Sequence, residues 1–115
     1  MNQKNLTPHQ KAFLKKAARI VDARITDPGF TVEEFSRLME LSRSQLFRKL
    51  KTATGASVSV FIRGRRLKYA LSLLEKGELP IARVASKVGF SGDTYFRKCF
   101  KEAYSMTPTE YISQI

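Results

Sequence analysis

Cationic side chains recur at fixed spacing in two short stretches of this chain. "SRSQLFRKLK", residues 42–51, sets Arg43, Arg48, Lys49 and Lys51 among Leu46, Phe47 and Leu50. "SGDTYFRKCFK", residues 91–101, sets Arg97, Lys98 and Lys101 among Tyr95, Phe96 and Phe100. A guanidinium can fork onto O6 and N7 of guanine, and an ammonium can meet a phosphate as a point charge. Other chemistry finds less support. The chain has one histidine, His9, and one cysteine, Cys99, so Ser/His or Cys/His catalysis is unsupported and a Cys/His zinc site is excluded within a monomer. Neither G-x-G-x-x-G nor a P-loop is present to cradle a nucleotide. The residues argue against an enzyme, and no cofactor or metal is expected.

Charge points the same way. Twenty-one Lys+Arg against ten Asp+Glu give 115 residues a formal charge of +11. That excess is larger than solubility requires and fits a polyanionic partner, either nucleic acid or an anionic membrane. At 43% hydrophobic, the chain can still build a core rather than remain a disordered basic tail. No apolar run approaches the roughly 20 residues that span a bilayer, and "MNQKNLTPHQK" has no signal-peptide core. The lone Cys99 precludes an internal disulfide and fits a reducing cytosol, so a cytoplasmic location is expected.

Residues that read a groove need a rigid support, and every long segment here has helical period. Thr7 and Pro8 make an N-cap and first-turn pair for a helix running to about Thr26, which "DPG" at 27–29 closes. "TVEE" at 31–34 is a capping box opening a short helix to about Met39. Ser42 caps the next helix, with Gln45 in the partner position, and Gly55 ends it. A long helix spans about 57–76. Short helices follow near 80–88 and 108–113, flanking a longer one from Ser91 or Gly92 to about Ala103. The count is seven.

The second and third helices resemble the fifth and sixth. Ser36/Ala85, Met39/Val88, Leu41/Phe90 and Ser42/Ser91 are each 49 residues apart. One extra residue then shifts the spacing to 50, pairing Leu46 with Phe96, Arg48 with Lys98, Leu50 with Phe100 and Lys51 with Lys101. A short helix, a tight turn and a second helix describe a helix-turn-helix, whose second helix presents its early residues in the major groove. At about 100° per residue from Leu46, Leu50 and Ala53 face inward, while Ser44, Arg48 and Lys51 face outward beside Gln45 and Phe47. From Phe96, the same geometry buries Phe100 and Ala103 and exposes Thr94, Lys98 and Lys101, flanked by Arg97. Solvated helix faces also carry charge, but both repeats place a cation at the same outward position. Arg48 is the strongest candidate for base readout, and Lys51 and Lys101 for phosphate. Phe47 fits either a thymine methyl or packing on a neighbouring helix. Cys99 falls beside the buried stripe as a reduced core thiol.

The connecting helix would be roughly 30 Å long, close to the ~34 Å between successive major grooves, so one monomer would reach an asymmetric site. It carries two apolar stripes, Val58/Ile62/Tyr69/Leu73 and Leu67/Ala70/Leu71/Leu74, as a helix clamped between two bundles needs. Within "RGRRLK", Arg63 is a phosphate candidate along with Arg43, whereas Arg66 falls on an apolar stripe where a structural role is open.

The layout resembles the DNA-binding domain of AraC/XylS-type transcriptional regulators. "RRLKYALSLL", "IARVASKVGFSGDTYFRKCFK" and "TPTEYI" carry the resemblance, which covers about 22–112. "FTVEEFSRLMELSRSQLFRKLKTATG" looks like the version at the C-terminus of hybrid two-component regulators. The resemblance implies an all-α, seven-helix bundle of homeodomain-like helix-turn-helix units. It implies base contacts from Ser44, Phe47 and Arg48, and from Asp93, Thr94, Arg97 and Lys98. Asp93 is the exception to the helical geometry, and its carboxylate would suit cytosine N4. Glu40 and Ser105 stand where the pattern expects small or glycine residues, which asks them for left-handed dihedrals. The resemblance also implies a longer regulator, with a sensing, dimerisation or receiver domain elsewhere.

A single DNA-binding domain over 1–115 is therefore expected, with a first helix-turn-helix at 7–56, a linker helix at 57–76 and a second at 77–115. Its expected function is sequence-specific binding of double-stranded DNA to regulate transcription, as a monomer, without a small-molecule ligand and with no membrane partner. RNA polymerase is a further candidate partner. The alternatives are sequence-tolerant architectural DNA binding and a helical protein-interaction module.

Overall fold

Side chains of Thr7, Thr31, Ser42 and Thr107 satisfy backbone donors at the starts of four helices, whereas Pro80 and Gly92 offer no side-chain cap to the helices they precede. In the computed structural model, which describes residues 5–27 and 29–115, all regular structure is helical. The seven helices are α1 (Pro8–Asp22), α2 (Val32–Leu38), α3 (Arg43–Thr54), α4 (Val58–Lys76), α5 (Ile81–Lys87), α6 (Asp93–Tyr104) and α7 (Pro108–Ser113). Thr7, Ser42 and Thr107 each accept from the backbone N–H three residues on, and Gln10, Gln45 and Glu110 return the bond. Thr31 accepts from the Glu34 N–H at 3.1 Å, but the Glu34 carboxylate turns to Arg37 at 3.7 Å, so α2 has half of the expected box.

α1 ends at Asp22, short of the expected Thr26. Arg24 N–H bonds Val21 O and Asp27 N–H bonds Arg24 O, so the chain leaves the helix through tighter turns. Ile25 is nonetheless buried, which explains why the apolar period outlasts the helix. The Asp27 carboxylate accepts from the Gly29 N–H at 2.8 Å and shapes the next turn. Pro28, assigned above to ending the helix, lies outside the described residues.

Contacts divide the chain into two compact units, Met1–Arg65 and Arg66–Ile115, with the boundary inside α4. In the first, α1 packs on α2 and α3, and Val21, Phe35, Leu46 and Leu50 are fully buried. Phe35 stacks on Phe61 at 6.3 Å and tilts against Phe30 at 5.7 Å. The Arg65 guanidinium grips the Asp22 carboxylate through Nε and Nη2, tying α4 to α1. In the second, α6 packs on α5 and α7 around Val84, Val88, Phe96 and Phe100, with Phe90 edge-on to Phe96 at 5.2 Å. Tyr111 donates to the Glu75 carboxylate at 2.6 Å, fixing α7 to α4. Ala103, expected inside, is exposed. Its counterpart Ala53 is buried, so the two repeats differ in how they cover this matched position.

The two repeats share backbone bonds at matching positions. Leu41 N–H reaches Ser36 O and Glu40 N–H reaches Arg37 O, both at 3.0 Å. Phe90 N–H reaches Ala85 O at 3.0 Å and Gly89 N–H reaches Ser86 O at 3.1 Å. Both are Schellman turns, which require a left-handed residue after the helix cap. Gly89 supplies it at φ 92°, and Glu40 at φ 60°. After each second helix a further left-handed residue follows, Gly55 at φ 76° and Ser105 at φ 61°.

Candidate nucleic-acid interface

Within each unit the helix-turn-helix turn sets the pose of its second helix, and a small buried residue lets the first helix approach. Ser36 and Ala85 are both buried, and Ser36 hides its hydroxyl by donating to Glu33 O at 2.9 Å. In the second unit Arg66 is half-buried. Its Nη1 donates to Gly89 O at 3.2 Å, holding the turn itself, while Nε has no protein partner. That settles a structural place for Arg66. Cys99 is a buried free thiol, as its position in the stripe predicts.

On α3, Leu46 and Leu50 anchor the helix, and Ser44, Phe47, Arg48 and Lys51 emerge on its exposed side. Phe47 is 47% exposed, so it does not pack into the first unit's core. Arg48 carries no ion pair among the described residues, and its guanidinium is available to a ligand. Arg43 is drawn toward Glu33 on α2 at 3.8 Å, an exposed pair that phosphate can displace. Lys51 donates to Gly55 O at 3.0 Å and so caps the end of α3.

On α6, Phe96 and Phe100 anchor, and Thr94, Lys98 and Lys101 are exposed. Lys98, like Arg48, has no ion pair among the described residues. Asp93 and Arg97 are half-buried and bonded to each other, with Nε to Oδ1 at 3.1 Å. Arg63 lies half-buried on α4, on neither second helix.

Sequence reasoning left two features out. Lys49 sits over the Phe13 ring at 6.0 Å, and an open groove of about 690 Å³ between α1 and α3 is lined by Phe13, Lys16, Arg48, Lys49 and Thr52. Only the packing of α1 creates it, so no local spacing announces it. The Asp93–Arg97 pair was legible in principle, because an acid four residues before an arginine on a helix is a standard partner. Among the described residues no group of His, Cys, Asp or Glu could hold a metal ion, and no helix is long and apolar enough to cross a membrane.

Two helix-turn-helix units, each turning a cationic face outward from its second helix, define a duplicated helix-turn-helix DNA-binding module. A family model described as a helix-turn-helix domain matches residues 35–114. The chain belongs to this family, in its AraC-type form, the DNA-binding domain of transcriptional regulators. It is similar to "Histidine kinase P4" of Formosa agariphila, 36% identical over 96% of this chain but only 8% of the kinase. Among solved structures it is similar to an AraC-type transcriptional regulator from Chromobacterium violaceum, at 25% identity, TM-score 0.86, and coverage of 94% and 96% of the two chains. The C-terminal domain of AraT, a response regulator from Geobacillus stearothermophilus, matches at 26% identity, TM-score 0.76, and coverage of 96% and 88%. The chain spans 8%, 37% and 35% of the length of three curated relatives that it matches.

Proposed function

We propose that the chain reads double-stranded DNA with two second helices, α3 and α6, entering successive major grooves as a monomer. Ser44, Phe47 and Arg48 contact bases from the first, and Thr94, Arg97 and Lys98 from the second, where Asp93 is engaged by Arg97 instead. Arg43, Lys51, Arg63 and Lys101 contact phosphate. The single observation that carries this reading is the repeated Schellman-turned helix pair with an exposed, unpaired cation at the same place, Arg48 and Lys98. Helix α4 is 19 residues, or about 28 Å, which suits the groove spacing of ~34 Å. In this reading residues 7–56 and 77–115 are the two helix-turn-helix subdomains and 57–76 links them. The domain performs no catalysis, acts in the cytoplasm, and influences transcription by placing attached parts or its own surface near RNA polymerase.

Fluorescence anisotropy tests this with a duplex selected from a random pool and a scrambled duplex of equal length, each at several salt concentrations. The selected duplex is expected to bind at least a thousandfold more tightly, with log K falling linearly in log salt for both. Equal affinities would leave only sequence-tolerant binding. Absence of salt-dependent binding would leave a protein-interaction module.

A further inference from the structure

The second reader contains a device that the first lacks. Asp93 opens α6, and one turn later Arg97 donates from Nε to Asp93 Oδ1 at 3.1 Å. The equivalent residues of α3 are Arg43 and Phe47, which cannot pair, and Arg43 leans to Glu33 instead. We propose that Asp93 is a positioning residue for base readout, holding Arg97 so that its two terminal amines present an end-on fork to guanine O6 and N7. This rests on the sequence-specific reading above and assigns guanine to the base facing Arg97.

The guanidinium has one N–H on Nε and two on each terminal nitrogen, in one plane. A carboxylate at Nε consumes the donor nearest the helix and leaves the outer fork free. Guanine offers two acceptors on its major-groove edge that match this fork, whereas adenine puts a donor where O6 would be. A free arginine must surrender rotamer freedom when it binds, and one already held surrenders less. The order acid-then-cation, four apart and starting at a helix N-terminus, favours the pair. With side chains 41% and 42% exposed, the pair is weak in water, and it strengthens once the groove excludes water. An acid facing phosphates cannot be there for overall affinity. Its contribution is selectivity.

The test uses the full chain, the duplex it selects from a random pool, and that duplex with each base pair replaced in turn. R97A is expected to lose roughly tenfold or more of the guanine preference at one position. D93A should lose most of that preference at the same position, and D93A/R97A should lose no more than R97A alone. D93N keeps an acceptor oxygen and a helix-starting side chain, so it should fall between D93A and the unaltered chain. Affinity for the scrambled duplex should stay level or rise in D93A, because a negative charge has gone. Thermal melts followed by far-UV circular dichroism confirm that each variant is folded. If D93A acts at a different base pair from R97A, or adds to it, Asp93 reads a base itself and the positioning role is wrong. If D93A leaves the guanine preference intact in a folded protein, the pair serves only helix α6. If the unaltered chain selects no consensus, the sequence-specific reading fails, and the proposal fails with it.

Discussion

Replacing Glu40 with glycine is expected to stabilise the first unit by about 0.5 kcal/mol. The balance comes from three parts of the turn between α2 and α3. Glu40 sits at φ 60°, where an L-residue costs roughly 1–2 kcal/mol and glycine costs nothing sterically. Glycine loses roughly 0.5–1 kcal/mol through its freer unfolded chain. The substitution also removes the Lys16–Glu40 ion pair, 3.5 Å long with side chains 41% and 85% exposed, which is worth at most about 0.5 kcal/mol. Glu40→Ala removes the same ion pair but keeps the Cβ, so the Gly–Ala difference isolates the backbone and should reach about 0.5–1 kcal/mol. Urea unfolding followed by far-UV circular dichroism measures both variants. Tyrosine fluorescence adds a second probe, because Tyr69, Tyr95, Tyr104 and Tyr111 all lie in Arg66–Ile115. A shift in both signals means that the two units unfold together, and a shift in circular dichroism alone means that they unfold separately. Should E40G prove no more stable than E40A, the left-handed backbone at Glu40 is not a source of strain.

Arg48→Ala should relax preference at one or two base pairs and cost roughly 1–3 kcal/mol on the selected duplex; uniform weakening of all duplexes would make Arg48 a phosphate contact. Lys51→Ala should weaken every duplex and reduce the salt slope by about one, and an unchanged slope would leave Lys51 as a helix cap alone. With Arg43, Lys51, Arg63 and Lys101 on phosphate, log K should fall with log salt at a slope of about −4, and a slope near zero would rule these contacts out. The Glu75 carboxylate holds the Tyr111 hydroxyl above its ordinary value of 10.0, so the folded protein favours the protonated phenol. That stability is complete below the unfolded value and is lost as pH rises through the raised folded value. Tyr111→Phe should therefore be less stable at neutral pH and show a shallower alkaline decline in urea midpoint; parallel declines would mean that Tyr111 does not contribute.

The fold was legible wherever a local rule acts alone. The caps at Thr7, Ser42 and Thr107, the stops at Gly55 and Gly77, and the buried period of Leu46, Leu50, Phe96 and Phe100 are each set by residues within one or two turns. The left-handed turns at Glu40 and Ser105 were legible only through the resemblance to a family whose pattern expects small or glycine residues there. Failures came where tertiary packing decides. Ile25 follows the helical period of α1 because it is buried, not because it is helical. Ala103 is apolar and in register, yet it is exposed. The candidate site divides the same way. Which residues of α3 and α6 are exposed follows from helical geometry, but whether a cation is occupied depends on partners. Arg43 has Glu33 on another helix and Lys51 has a backbone carbonyl, whereas Arg48 has neither.

The four left-handed positions bear on how the repeat has diverged. Each unit needs one such residue in its turn and one after its second helix, and each has glycine at only one of the two. The first unit has Glu40 in the turn and Gly55 after α3, while the second has Gly89 in the turn and Ser105 after α6. Equivalent backbone is thus kept with glycine at opposite places, which means that the geometry, not the residue, is what the two units share. A side chain at a strained position is tolerable where the surrounding bonds over-determine the backbone. Here the paired Schellman bonds at Glu40 and the 2.8 Å bond from Ser105 N–H to Lys101 O do so. The side chains on the reading faces are under no such constraint and have diverged freely, Phe47 against Arg97 and Arg48 against Lys98. On the reading proposed above, two readers with one frame and different side chains favour different base sequences. A palindromic site would mismatch one of them.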